Sequence, residues 1–174
     1  MEDRNESLQK IFAIARIISV YLFLIFLLLL NAAKLPVFDL GTVTPYFLLM
    51  GVYYWLLARP TMLPFYLVFV FGLALDFITG EVVGLNALCF LLISFVLYGQ
   101  RRFLKGQAWP VLWAGYGLAC AFVACVHMIV FILMNWSLPG FFQFFAPILI
   151  SVLAYPLITI PMIALNKLFR NQFA

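Results

Sequence analysis

A single aspartate lies inside one of the most apolar stretches of the sequence. Asp76 follows a run of apolar residues, and Gly80, Glu81 and Gly84 come shortly after it. A charged aspartate at the centre of a membrane helix costs about 2.5 to 3.5 kcal/mol, so such carboxylates usually face protein or water. Three roles are open: a polar clasp for a tight turn, a ligand for a proton, ion or substrate, and a residue hydrated at the interface. The spacing favours the clasp.

The residues that follow Asp76 are those that a tight turn between two helices requires. Gly80 is predicted to supply a positive φ at the end of a helix. Gly84 is predicted to allow close approach of the next helix, and the amide of Asn86 to bridge helices. This pattern predicts a structural site.

Other residues with reactive side chains lack the partners that catalysis or metal binding needs. The three cysteines, Cys89, Cys120 and Cys125, fall inside apolar runs and form no C-x-x-C pair. His127 is the single histidine, and a metal would need two or three more ligands near it. We therefore interpret His127 as a hydrogen-bonding residue on a packed face. The sequence predicts a non-enzymatic protein without a metal or another cofactor.

The composition is that of an integral membrane protein. Of the 174 residues, 67% are hydrophobic and 9% are charged, and the mean hydropathy is +1.16. Soluble domains are about half apolar and about a quarter charged. The net charge of +4 does not indicate nucleic-acid binding, because the basic residues punctuate apolar runs instead of forming one patch. No linker divides the chain, so residues 1–174 are predicted to form one transmembrane domain.

The apolar runs predict six membrane-spanning helices in one all-α bundle. A helix needs about 20 residues to cross the hydrocarbon, and fewer suffice when flanking residues compensate. The predicted spans are residues 11–33 or 17–33, 43–58, 62–78, 82–99, 110–134 and 145–165. The sixth contains Pro156 and Pro161, whose freed carbonyls neighbouring helices can satisfy. A five-span arrangement, with the second segment missed or the sixth re-entrant, is the alternative.

The basic residues predict that both termini lie in the cytoplasm. With six spans, nine of the 10 lysines and arginines fall on one side, and Lys34 falls on the other. The fourth connection carries a cytoplasmic basic loop, Arg101, Arg102 and Lys105. A role in fixing the orientation of the chain in the membrane explains these basic residues without any binding partner. Together with Arg59, they are also placed to meet anionic lipid or the acidic surface of a filament protein.

The fifth span carries a face of small residues. Ala114, Gly117, Ala121 and Ala124 recur at intervals of three and four residues, which lets another helix approach closely. Packing within the bundle is the favoured interpretation, and a seam between molecules is the alternative.

The motif around Asp76 resembles that of a known family. It comprises Arg59-Pro60, Leu63-Pro64, Phe69, Gly72-Leu73, Asp76, Gly80, Gly84-Leu85 and Ala87-Leu88. This pattern is similar to that of the rod shape-determining protein MreD family. Many members have histidine where this chain has Asn86. The resemblance covers about thirty residues well, and the rest of the chain agrees in length, helix number and basic loops.

The resemblance implies a bacterial inner-membrane component of the cell-elongation (Rod) complex. It would bind the bitopic protein MreC and act with MreB, RodA and penicillin-binding protein 2 in peptidoglycan synthesis and cell shape. The resemblance also implies a fold similar to the S-components of energy-coupling-factor transporters. A vitamin-binding S-component is therefore the main alternative. An intramembrane enzyme acting on lipid is a weaker one, because no nucleophile and base pair is visible.

Overall fold

A computed structural model describes residues 2–32, 35–36, 42–104, 106–136 and 140–168, and the fold in these ranges is all-α. The helices are α1 (Glu2–Ala32), α2 (Phe47–Ala58), α3 (Phe65–Thr79), α4 (Leu85–Leu104), α5 (Trp109–Asn135) and α6 (Phe141–Leu168). A 3₁₀ turn, Pro60–Met62, joins α2 to α3. Two short antiparallel strands, β1 (Leu35–Pro36) and β2 (Thr42–Val43), lie between α1 and α2.

The helices are those of a membrane protein. Among the described residues, three helices are long and apolar enough to cross a membrane: α4, α5 and residues 144–166 of α6. Residues 17–31 of α1, together with α2 and α3, form shorter apolar helices. Each predicted span overlaps one of the six helices, so the all-α prediction is confirmed. The helix that contains the first span starts earlier than the apolar run, at Glu2.

Helix α2 lies at the centre of the packing. It contacts α1, α4 and α6, and ten of its residues are buried. Its Tyr53 ring packs edge-on against Tyr116 of α5 and Tyr155 of α6, which stack on each other with centroids 4.3 Å apart. The Tyr53 hydroxyl donates a hydrogen bond to the Leu112 carbonyl over 3.0 Å. Aromatic packing thus joins α2, α5 and α6 in the middle of the bundle.

Helix α6 contains three prolines, Pro147, Pro156 and Pro161, and another helix satisfies the carbonyl that Pro156 leaves free. Pro156 has no N–H to donate to the carbonyl of Val152, four residues earlier. The indole Nε1 of Trp113 on α5 donates to that carbonyl over 2.8 Å. The contact provides the interhelical compensation that the sequence predicts for prolines in this span.

Helices α3 and α4 approach each other most closely. The connections on either side of α3 lie at opposite ends of the bundle. An added Cβ on Gly72 would lie 2.5 Å from the Ala87 Cα, so the two backbones meet at this point. We call the end that holds the α3–α4 turn the Asp76 end. The opposite end, which holds the α2–α3 connection, is the Arg59 end.

Candidate functional site

Two glycines with positive φ shape the turn at the Asp76 end. Gly80 ends α3 with φ 71° and donates its N–H to the Asp76 carbonyl over 3.0 Å. Gly84 precedes α4 with φ 94°. The prediction for Gly80 agrees with this geometry. The prediction that Gly84 permits close approach is wrong, since a Cβ there would meet nothing within 4 Å. Its left-handed backbone is what favours glycine, and the close approach occurs at Gly72 instead.

The Asp76 carboxylate accepts three hydrogen bonds inside the turn. Oδ2 accepts from the Gly84 N–H over 2.8 Å, and Oδ1 accepts from the Asn86 N–H over 3.0 Å and from its side-chain Nδ2 over 2.9 Å. Asp76 is 0% exposed, so it has no surface for interfacial hydration. Because all three partners are N–H donors, the two carboxylate oxygens provide every acceptor that these donors need.

Asn86 extends this contact to a second carboxylate. Its Nδ2 also donates to Oε2 of Glu81 over 2.8 Å, so one amide group lies between Asp76 and Glu81. Asn86 is itself buried. The predicted bridging role of this amide therefore takes a specific form: it links the end of α3 to the turn and to the start of α4.

His127 of α5 completes the polar cluster. Its Nδ1 lies 2.9 Å from the Val123 carbonyl and its Nε2 lies 3.0 Å from Oε2 of Glu81. A carbonyl only accepts, so Nδ1 must carry a hydrogen. The contact between Nε2 and Glu81 then needs one further proton, on the imidazole or on the carboxyl group. One proton therefore lies between Nε2 and Oε2, and this contact joins α5 to the α3–α4 turn.

Sequence reasoning missed the pair of Glu81 and His127. The two residues are 46 positions apart, so no local motif connects them. The available signal was that both are rare polar residues at the same predicted end of the bundle. We define the outer cluster as Asp76, Glu81, Gly84, Asn86 and His127.

A cavity of about 410 Å³ opens beside the outer cluster. Glu81 and His127 form part of its wall, and their side chains are 40% and 23% exposed. Tyr46 and Asn135 also line it, and most of the remaining wall is apolar, including Phe131 and Met134. Its volume lies in the range of small-molecule sites.

Three arginines with described side chains, Arg59, Arg101 and Arg102, lie at the opposite end. Arg59 is half-buried and donates from Nε to Oδ1 of Asn166 on α6 over 3.0 Å, and Pro60 begins the 3₁₀ turn after it. Arg101 is half-buried, and its Nε is buried without a hydrogen-bond partner in the described residues. Arg102 is exposed, whereas Lys105 lies outside the described residues.

The four small residues of α5 lie in different surroundings. A Cβ on Gly117 would lie 3.6 Å from Val152 of α6, so Gly117 faces that helix. Ala124 is buried and lines the cavity, Ala121 is half-buried and Ala114 is exposed. Gly117 and Ala124 are therefore inside the bundle, while Ala114 is accessible from outside.

The described residues contain no group of three or more histidine, cysteine, aspartate or glutamate side chains placed to hold a metal ion. Cys89 and Cys120 are buried and Cys125 is exposed, and all three are free thiols. The outer cluster is thus built from hydrogen bonds between carboxylates, amides and an imidazole.

Comparison with known proteins gives one family. The family model described as rod shape-determining protein MreD matches residues 11–169, nearly the whole chain. No curated protein and no solved structure matches the chain.

Proposed function

We propose a scaffold function for this chain, which belongs to the MreD family of rod shape-determining proteins. In this proposal it is a non-enzymatic component of the cell-elongation (Rod) complex in the bacterial inner membrane. It binds MreC and supports peptidoglycan synthesis and rod shape. The family match carries the proposal.

The proposed architecture is a single transmembrane domain with six spans and both termini in the cytoplasm. The six helices support it, as does the distribution of basic residues. The Asp76 end then faces the periplasm and the Arg59 end the cytoplasm. The fold resembles that of S-components of energy-coupling-factor transporters.

The outer cluster supports a structural role for the Asp76 motif. The three hydrogen bonds that Asp76 accepts come from the turn and the start of α4, and the carboxylate is buried. A group held in this way is suited to fixing the shape of a connection. We propose that Gly72, Asp76, Gly80, Gly84 and Asn86 give the α3–α4 hairpin a rigid form that a partner recognises.

The partners fall on the two sides of the membrane. We propose that MreC binds helix surfaces of the bundle, with the exposed part of the α5 small-residue face as one candidate surface. RodA and penicillin-binding protein 2 belong to the same assembly. MreB would approach the cytoplasmic basic loop, where Arg102 is exposed.

Purification from native membranes in mild detergent tests the scaffold proposal. A tagged copy is isolated, and mass spectrometry identifies the proteins and small molecules that accompany it. We expect an MreC-like bitopic protein or wall synthases, and no stoichiometric ligand. Isolation without any of these proteins, under conditions that preserve a known membrane complex from the same cells, would contradict the proposal.

The cavity beside the outer cluster favours a second candidate, a vitamin-binding S-component. Its volume of about 410 Å³ and its polar wall of Glu81 and His127 are compatible with a small ligand. The same purification separates the two candidates. A bound vitamin, or ATP-binding subunits in the isolated complex, would identify a transporter component.

A further inference from the structure

A second cavity lies at the Arg59 end, between α2, α5 and α6. Its volume is about 240 Å³, and its walls include Tyr54 and Ala58 of α2, Trp109 and Leu112 of α5, and Ile163 of α6. We call it the inner cleft. Along α6 its wall runs from Tyr155 to Ile163, a length of about 12 Å at the rise of an α-helix. The inner cleft is thus a narrow apolar slot that runs along the helices.

Polar groups gather at one wall of the inner cleft. Arg59 follows the lining residue Ala58 directly, and its Nε donates to Asn166, which lies one helical turn beyond the lining residue Ile163. The Tyr54 side chain, which lines the cleft, interacts with Asn166 and lies in the electrostatic field of Arg59. These contacts place the guanidinium beside the apolar slot.

The guanidinium of Arg59 is held in place and has unused donors. Among the described residues, its hydrogen bonds involve Nε alone, so both terminal nitrogens are available to an acceptor. A guanidinium fork with two such nitrogens matches the geometry of a phosphate group. Trp109 at the start of α5 is of the residue type enriched at headgroup level.

We propose that the inner cleft binds one anionic phospholipid, with an acyl chain in the apolar slot and the phosphate on Arg59. The slot accounts for the choice of a lipid over a free anion, since its walls offer apolar contacts to a chain. The charge of Arg59 accounts for the phosphate. If the Arg59 end faces the cytoplasm, as proposed above, the lipid belongs to the cytoplasmic leaflet. The binding site itself does not depend on that orientation.

Lipid binding to the purified, delipidated protein tests the proposal. Occupancy by phosphatidylglycerol is measured by native mass spectrometry in a non-ionic detergent, for the wild type, Arg59→Gln, Arg102→Gln and Ala58→Phe. Arg102 is exposed and serves as the matched charge control. Ala58→Phe fills the cleft and leaves the charge unchanged. Diacylglycerol, which has the chains without the phosphate, and inorganic phosphate serve as partial ligands.

We expect Arg59→Gln to weaken phosphatidylglycerol binding about tenfold, the loss of one charge-assisted hydrogen-bonded contact. Ala58→Phe should weaken it similarly, and Arg102→Gln should change it less than about twofold on the same scale. Diacylglycerol should bind weakly, and excess inorganic phosphate should not displace the lipid. The melting temperature of each variant in the same detergent verifies that it is folded.

Three results would overturn the proposal. Equal losses in Arg59→Gln and Arg102→Gln would indicate diffuse attraction to the basic end. Unchanged binding by folded Ala58→Phe would show that no acyl chain enters the cleft. If Arg59→Gln does not fold, the Ala58→Phe result alone tests the proposal. Displacement by inorganic phosphate would reveal a simple anion site. None of these results depends on whether MreC accompanies the protein, so the two proposals fail separately.

Discussion

The two ends of the bundle use polar residues in different ways. At the Asp76 end, two carboxylates, an amide and an imidazole from α3, the turn, α4 and α5 satisfy one another over distances of 2.8 to 3.0 Å. At the Arg59 end, Arg59 has one hydrogen bond within the described residues, and the Nε of Arg101 has none. The Asp76 carboxylate thus has its hydrogen-bond partners within the protein, whereas the guanidinium of Arg59 has donors left for other molecules.

The difference shows what each end can do. A closed polar network in a low-dielectric site rigidifies the structure around it and is costly to disrupt. The terminal nitrogens of Arg59 have no partner among the described residues and are available for lipid or protein acceptors. We therefore expect substitutions at the Asp76 end to affect the free energy of unfolding, and substitution of Arg59 to affect lipid binding.

The largest effect is expected from Asp76→Leu. The substitution removes the acceptor of three N–H donors, two of them in buried hydrogen bonds, and each buried unsatisfied donor costs about 1 to 3 kcal/mol. We expect a loss of about 3 kcal/mol or more in the free energy of unfolding, measured by SDS titration of the purified protein. Arg102→Gln, an exposed change at the other end, should stay within about 0.5 kcal/mol of the wild type. Similar losses in both variants would abolish the contrast between the two ends.

Gly72→Ala is expected to cost about 2 kcal/mol, in the range of overpacking changes. The new Cβ would lie 2.5 Å from the Ala87 backbone, so α3 and α4 must separate. Gly99→Ala is the matched control, because a Cβ at this helical position in α4 meets nothing within 4 Å. It should be neutral or stabilising by up to about 1 kcal/mol. Unfolding titrations in which both variants lose equally would contradict a close approach specific to Gly72.

Trp113→Phe is expected to cost about 1 to 2 kcal/mol by leaving the Val152 carbonyl without a donor. A double-mutant cycle with Pro156→Ala sharpens the prediction. Alanine restores an N–H that can satisfy Val152 within α6, so the cost of Trp113→Phe should shrink in that background. Equal costs in both backgrounds, by the same titration, would show that the indole contributes packing alone.

His127→Leu is expected to have the smallest effect, about 1 kcal/mol, because the partly exposed pair gains little from its charges. His127→Gln keeps a donor for Glu81 and should lie between leucine and the wild type. The measurement is hydrogen exchange at the start of α4, which should increase in the leucine variant. Unchanged exchange there would mean that α5 does not restrain the turn.

Much of the fold could be predicted because each membrane helix corresponds to a continuous run of apolar residues in the sequence. The six apolar segments each coincide with a helix, and Gly80 adopts the φ that its position after Asp76 indicates. The partners of Asp76 lie within ten residues of it, so the turn motif contained them.

The rest depends on contacts that sequence spacing does not reveal. The contact of Trp113 with Val152 and that of Glu81 with His127 join residues 39 and 46 positions apart. Gly84 was assigned the wrong role because glycine serves both positive φ and close approach, and only coordinates separate the two. The surroundings of the α5 small residues likewise depend on how that helix rotates against α6.

The measurement that tests the structural role of Asp76 most directly is cell shape in a strain whose only copy carries Asp76→Asn, with the inserted protein quantified. Asparagine keeps one acceptor oxygen for the donors of the turn but cannot carry the charge. We predict that Asp76→Asn supports rod shape when Asp76→Leu does not, at matched amounts of inserted protein. Loss of rod shape by Asp76→Asn, with normal insertion and folding, would contradict the clasp and show that charge or protonation at this site is required.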